Sequence, residues 1–361
     1  MIKLRIIVTA GGTGGHIYPA LSIIDKFKKK EANLEILYIG THNRMEKDLI
    51  PKLGIKYQEL EIYGITKNLF QNIRNVALVQ KATNKCLKII KEFKPDVVIG
   101  VGGYVTYPVL VAAHKLGIKT FLHEQNSIPG KTNKVLAKKA TKIGISFPES
   151  KTYFAKEKVI FTGNPCGERA TKAIPSNKKD LGLSEDKKLV TIVAGSLGSM
   201  TMNTKMQNFL LNSENADYEI VYITGKDYYE DFLKGNIFPK NVLVLPYYDN
   251  LPSLLKITDL LVTRAGATTM SEIVALNLPA IFIPSPYVAN NHQYYNALEL
   301  KNKNAGELIE EKNLTSEKLK MKIDTILDDA HKYETMKRNL KEIASPNSSE
   351  IIYENIKEMI K

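Results

Sequence analysis

The sequence contains no tryptophan and only two cysteines, Cys86 and Cys166, and no apolar run in it reaches the length of a membrane span. The cysteines supply neither a disulfide framework nor a zinc pattern, and a reducing cytoplasm is their simplest setting. The chain lacks a D-x-D pair, so nothing suggests a carboxylate-held metal on a nucleotide diphosphate. The apolar stretch near the start is short and ends in glycines, which argues against a signal peptide. What remains is a globular composition, 43% hydrophobic over 361 residues, enough for two domains with separate cores.

Acidic charge is scarce in one half only. Residues 1–163 carry 27 Lys and Arg against 12 Asp and Glu, a net of +15, and the remainder nets −2. Such asymmetry predicts a face turned towards an anion: nucleic acid, an anionic membrane surface or a phosphorylated substrate. A general lysine bias would account for part of it.

Ile6-Ile7-Val8-Thr9-Ala10 runs into Gly11-Gly12-Thr13-Gly14-Gly15-His16, and helical spacing follows. This predicts a buried parallel strand, a tight loop and a helix start whose free N–H groups favour an anion. His16 stands at that mouth. Dinucleotide and P-loop signatures fit badly. A G-x-G-x-x-G count from Gly12 meets Ile17, and Gln125 stands where a P-loop ending in Gly130-Lys131-Thr132 needs glycine.

The first half alternates helical patterns with strands predicted at 4–9, 35–39, 57–60, 96–101, 119–123, 142–146 and 159–162. A parallel sheet covered on both faces follows, with ligands at the strands' carboxyl ends. Loops Gly102-Gly103-Tyr104 and His123-Glu124-Gln125-Asn126 would line one crevice with Gly11–His16. Residues 62–76 place Ile65, Leu69, Phe70, Ile73 and Val76 at helical spacing near Lys67, Arg74, Lys81 and Lys85, ahead of a helix at 78–93. This is either a core-packed helix or an interfacial patch.

Gly163-Asn164-Pro165-Cys166-Gly167 reads as a hinge, after which the pattern restarts. A strand at 189–194 enters Gly195-Ser196-Leu197-Gly198-Ser199, and strands follow at 219–223, 242–245, 259–263, 280–284 and 307–309. The expected architecture is α/β: two Rossmann-like doubly wound halves, 1–163 and 164–344, facing across a cleft. A helix at 345–361 would pack back on the first.

In the second half, Arg264-Ala265-Gly266-Ala267 precedes Thr268-Thr269-Met270-Ser271-Glu272. Thr269 and Glu272 have capping-box spacing, and the small residues leave room for a diphosphate over the helix amides. Glu272 either caps its own helix or binds ribose hydroxyls. The loop at 285–293, with Asn290, Asn291, His292 and Gln293, suits sugar hydroxyls.

These motifs, with Gly163-Asn164-Pro165 and Gly195-Ser196, occur in one order and resemble the MurG family of bacterial N-acetylglucosaminyltransferases across nearly the whole chain. The resemblance implies a GT-B fold and no cofactor or metal. It also implies inverting transfer of GlcNAc from UDP-GlcNAc to the C4 hydroxyl of MurNAc in lipid I, giving lipid II in peptidoglycan synthesis. By the same resemblance Thr13, Gly14, Gly15, Asn126, Ser196, Tyr248, Ala267, Thr268, Thr269, Met270, Ser271, Glu272 and Gln293 touch the donor. Gly102, Gly103, Tyr104, His123, Glu124 and Gln125 fall to the acceptor side, and His16 to the general base or acceptor positioning. The family's diphosphate arginine is replaced by Gly167, leaving Arg169, Arg264 or the helix dipole. The basic half would then meet the anionic inner membrane surface, making the enzyme peripheral on its cytoplasmic face, with no nucleic acid partner. A UDP-sugar 2-epimerase of the same architecture is the main alternative. A dinucleotide oxidoreductase and a nucleic-acid-binding protein fit less of the chain.

Overall fold

Thirteen parallel strands form two sheets, one in each of two compact units, in a computed structural model that describes residues 3–64, 69–195, 198–345 and 347–361 (backbone only at 69–73). Unit 1 comprises Met1–Cys166 and Asn347–Lys361; unit 2 is Gly167–Pro346. Unit 1 runs β1 (Leu4–Ala10), α1 (Gly14–Lys30), β2 (Leu34–Thr41), α2 (Glu46–Lys52), β3 (Lys56–Leu60), α3 (Leu69–Phe93), β4 (Val97–Gly102), α4 (Thr106–Lys115), β5 (Lys119–Glu124), α5 (Lys131–Leu136), β6 (Lys142–Ile145) and β7 (Val159–Phe161). Unit 2 runs α6 (Gly167–Lys172), β8 (Lys188–Val193), α7 (Met200–Leu211), β9 (Tyr218–Ile223), α8 (Tyr229–Leu233), β10 (Val242–Leu245), α9 (Leu251–Leu255), β11 (Leu260–Thr263), α10 (Ala267–Leu276), β12 (Ala280–Phe282), α11 (His292–Asn302), β13 (Glu307–Leu308), α12 (Ser316–Asp328) and α13 (Ala330–Ile343). The chain then returns to unit 1 as α14 (Ser348–Ile360).

Each predicted strand has its counterpart, because β-branched runs between helical segments leave little choice when both faces of a sheet are covered. Ile6, Ile7 and Val8 of β1 and Val97, Val98 and Ile99 of β4 are fully buried. The strand order is β3-β2-β1-β4-β5-β6-β7 in unit 1 and β10-β9-β8-β11-β12-β13 in unit 2. Both orders reverse direction beside the first strand. At that point successive connections leave on opposite faces and open a crevice at the carboxyl ends. In unit 1 it lies between β1 and β4, in unit 2 between β8 and β11.

Helix α3 starts at Leu69, not at 78, since nothing between the two positions breaks a helix. The apolar stretch ahead of residue 78 is thus largely the first turns of α3, with Val76 exposed and Ile62 buried before it. Ile65 and Lys67 lie outside the described residues, as do the side chains of Leu69, Phe70 and Ile73.

Helix α14 packs beside α1. Ile352 and Ile356 are fully buried in a cluster with Phe27, and the Tyr353 ring meets Phe27 edge-on at 5.0 Å. Glu31 accepts from Tyr353 Oη and pairs with Lys357, both at 2.7 Å, while Lys142 reaches Glu358 at 2.8 Å. Apolar burial carries this docking, and the partly exposed ion pairs set its register. Ile356→Ala is expected to destabilise unit 1 by about 3 kcal/mol through the lost side chain and its cavity, measured by urea unfolding.

Candidate active site

In unit 1 the glycine loop and the loop after β4 meet at the switch point. Gly102 and Gly103 have φ of +109° and +85°, a region other residues enter only with strain. A Cβ on Gly102 would stand 2.6 Å from His16 Cδ2, and one on Gly103 would run into the Gly11 carbonyl. The two loops therefore touch through bare backbone, and the His16 ring lies on Gly102. His16 Nδ1 is 3.2 Å from Gly11 O and 3.5 Å from Thr13 Oγ1. A carbonyl only accepts, so this contact is a hydrogen bond in the ring form that carries a hydrogen on Nδ1. Thr13 is exposed, Gly14, Gly15 and His16 partly so, and Tyr104 flanks Gly12. A hydrogen bond to Tyr104 raises the pKa of the exposed Arg44 guanidinium, a neighbour that no motif singles out.

His123, Glu124 and Gln125, expected on the acceptor side, are each at most 1% exposed. His123 Nε2 donates to Gly163 O at 3.0 Å, and its Nδ1 accepts from Gln125 Nε2 at 2.9 Å. Burial pulls the imidazole down to about 4, so it stays neutral. Glu124 accepts from the Asn126 amide at 2.9 Å, from Gly130 N at 3.1 Å and from Asn133 Nδ2 at 2.8 Å. Burial raises its pKa, with those donors opposing. The triplet supports the loop. Asn126, partly exposed and tied to Glu124 through Nδ2 at 3.2 Å, is the member that reaches the surface.

In unit 2, α10 begins at Ala267 behind Gly266, which has no side chain to cap it. The capping box expected at Thr269 and Glu272 is therefore not formed, because the helix starts two residues earlier, directly off β11. The first i-to-i−4 bond is Met270 N–H to Gly266 O at 2.9 Å, and the amides ahead of it point out of the helix end. Thr268 Oγ1 is buried there without a hydrogen-bond partner among the described residues, while Ser271 Oγ turns back to Thr268 O at 2.6 Å. Ala267 and Met270 are buried, so their side chains face the interior of the unit. Glu272 lies past the first turn, where it caps nothing. Desolvation pushes its carboxyl up to about 7 against the opposing pull of Arg169.

Arg264, one of the candidates for the diphosphate, makes its contacts inside unit 2. It is 7% exposed and ion-paired to the equally buried Glu311. It also donates to Ile283 O at 2.9 Å and to Ser199 Oγ at 3.1 Å, so its fork is spent inside the unit. Ser199 in turn caps α7, so Arg264 ties that helix start to the end of β11. Gly167 packs α6 against α10: a Cβ there would stand 2.7 Å from Ser271 O, leaving no room for an arginine. Arg169, exposed on the same helix, keeps its charge near Glu272.

Gln293 Oε1 accepts from Ser285 N at 2.9 Å, which turns the amide nitrogen the other way. Buried Asn296, one turn on and not foreseen, donates to Ala265 O at 3.1 Å and steadies the Arg264–Ala267 loop. Tyr248 pairs its hydroxyl with Ser176 at 2.7 Å. Ser196 lies outside the described residues. Among those described, no group of three His, Cys, Asp or Glu is arranged to hold a metal, and no helix is long and apolar enough to cross a membrane.

The profile of the glycosyltransferase family 28 N-terminal domain matches residues 6–145, and that of its C-terminal domain matches 189–351. The chain belongs to glycosyltransferase family 28. A family member from Halalkalibacterium halodurans, named UDP-N-acetylglucosamine--N-acetylmuramyl-(pentapeptide) pyrophosphoryl-undecaprenol N-acetylglucosamine transferase, is 43% identical, covering 99% of this chain and 100% of that one. The crystal structure of Acinetobacter baumannii MurG has a TM-score of 0.80 at 27% identity, over 99% of this chain and 100% of that one. Staphylococcus aureus MnaA, solved with UDP, has a TM-score of 0.72 at 17% identity over 99% and 97%, a likeness of fold alone.

Between pH of about 6.5 and 4 only the unfolded chain protonates His123, so stability falls as pH falls through that window. His123→Asn removes this contribution. Urea unfolding at pH 7 and pH 5 is expected to show a smaller acid loss in the variant than in the wild type.

Proposed function

We propose that this family 28 member transfers N-acetylglucosamine from UDP-GlcNAc to the C4 hydroxyl of the N-acetylmuramyl sugar of a pentapeptide-bearing, diphosphate-linked undecaprenol. The observation that carries this reading is the 43% identity to a transferase of that name over 99% of the chain. The open start of α10 and the His16 mouth support it.

In this reading unit 2 holds the donor. The α10 amides and Thr268 Oγ1 take the diphosphate, Arg169 adds charge, Glu272 accepts from the ribose hydroxyls, and Gln293 turns its amide nitrogen to the sugar. Unit 1 takes the acceptor at Gly102, Gly103 and Tyr104, while its Thr13, Gly14, Gly15 and Asn126 touch the donor. The acceptor oxygen attacks the anomeric carbon as its bond to the diphosphate breaks, so UDP leaves with the bonding pair and the configuration inverts. The hydroxyl proton passes to His16 Nε2. Fixed helix dipoles stabilise the charge on the departing phosphate.

The test is UDP release from UDP-GlcNAc with and without a short-chain analogue of the lipid acceptor. Release that requires the analogue and yields a disaccharide supports the reading, and release without it marks an epimerase or hydrolase. His16→Ala is expected to lower kcat at least about 100-fold. Glu272→Ala is expected to raise the KM for UDP-GlcNAc about tenfold or more, the usual loss of hydrogen bonds to a charged group.

The net +15 of residues 1–163 and the exposed Val76 between Arg74 and Lys81 on α3 favour a peripheral position on an anionic, cytoplasm-facing membrane surface. Vesicles rich in phosphatidylglycerol are expected to bind the protein in a salt-sensitive manner. Equal binding to neutral vesicles would remove this part of the reading.

A further inference from the structure

Beneath the unit 1 glycine loop lies a carboxylate that the reaction above does not use. Glu46, the first residue of α2, is 0% exposed. Thr41 holds its Oε1 twice, from the backbone N at 3.1 Å and from Oγ1 at 2.7 Å. Its Oε2 accepts the Gly12 N–H at 3.4 Å. Gly11 has no Cβ because Glu46 Oε1 fills that space. Two tyrosines pin the flanking strand ends: Tyr38 Oη donates to Ala10 O at 3.0 Å and Tyr57 Oη to Thr41 O at 2.6 Å.

The Gly12 N–H and the Gly11 C=O are the two ends of one peptide group. Glu46 accepts from the N–H, and His16 Nδ1 lies 3.2 Å from the C=O. We propose that Glu46 is a positioning residue for His16, acting through the Gly11–Gly12 peptide. A carboxylate at the donor end fixes the peptide plane and polarises its carbonyl, and chained hydrogen bonds strengthen one another in a buried setting. The carbonyl then holds the Nδ1–H tautomer, presenting the Nε2 lone pair. The arrangement does the work of a carboxylate–imidazole pair with a peptide inserted between the two groups. The carboxylate stays dry under the loop, away from the anionic ligand the loop would receive.

The inference rests on His16 being the base, so its test includes a reading that needs no turnover. Full-length protein carrying 15N-histidine is examined by ring-nitrogen NMR, with the His16 signals assigned by their loss in His16→Asn. The wild type is expected to show His16 as the Nδ1–H tautomer; an Nε2–H tautomer overturns the proposal. Glu46→Gln keeps the volume and the Thr41 contacts but sets an amide N–H against the Gly12 N–H. It is expected to mix the tautomers and lower kcat about tenfold or more, with KM for UDP-GlcNAc within about twofold. An unchanged tautomer, or an unchanged kcat, overturns it. Thr41→Val loosens the same carboxylate without altering its charge and is expected to shift both readouts less in the same direction; it stands in if Glu46→Gln does not fold. Should the wild type transfer no sugar, the proposed reaction fails and the tautomer alone decides the role of Glu46.

Discussion

A parallel sheet covered on both faces has one place where its own connections do not fill the carboxyl edge, and each unit puts its glycine loop there. At β1/β4 the loop carries His16, and at β8/β11 the open start of α10 stands beside the loop that leads into α7. The chemistry of both sites depends on that topological vacancy. The first amides of a helix that starts there have no partner within the helix itself.

Holding such loops in one shape takes buried polar groups, and those groups must be paired. Unit 1 uses Glu46 under Gly11–Gly12 and the His123–Glu124–Gln125 set under Asn126. Unit 2 uses the Arg264–Glu311 pair, which reaches Ser199 and Ile283, and Asn296 on Ala265. These are residue types that usually signal catalysis, yet their polar atoms are largely spent on the scaffold. Breaking such a network leaves a buried charge or donor unpaired, which costs more than the bond itself contributes.

Close packing also explains a departure from the family pattern. Gly167 brings α6 against the backbone of α10, which excludes any side chain at that position. Arg169, two residues along the same helix, carries a positive charge that Glu272 feels.

The sequence by itself determined the strands, their alternation with helices and the glycine loops, because those follow from local pattern: β-branched runs, helical spacing and residues tolerant of positive φ. It also made His16 and the small residues around Thr268 the candidates for the site. Only tertiary structure decided which polar side chains face outward. His123, Glu124, Gln125 and Arg264 read as ligands in one dimension, and the fold buries all four among internal partners. Glu46 gave no signal at all, since its meaning lies in contacts with Gly12, 34 positions away, and with Thr41 at the end of a neighbouring strand. A hydrogen bond between residues distant in sequence leaves no periodicity, so it becomes legible only once the chain has closed around it.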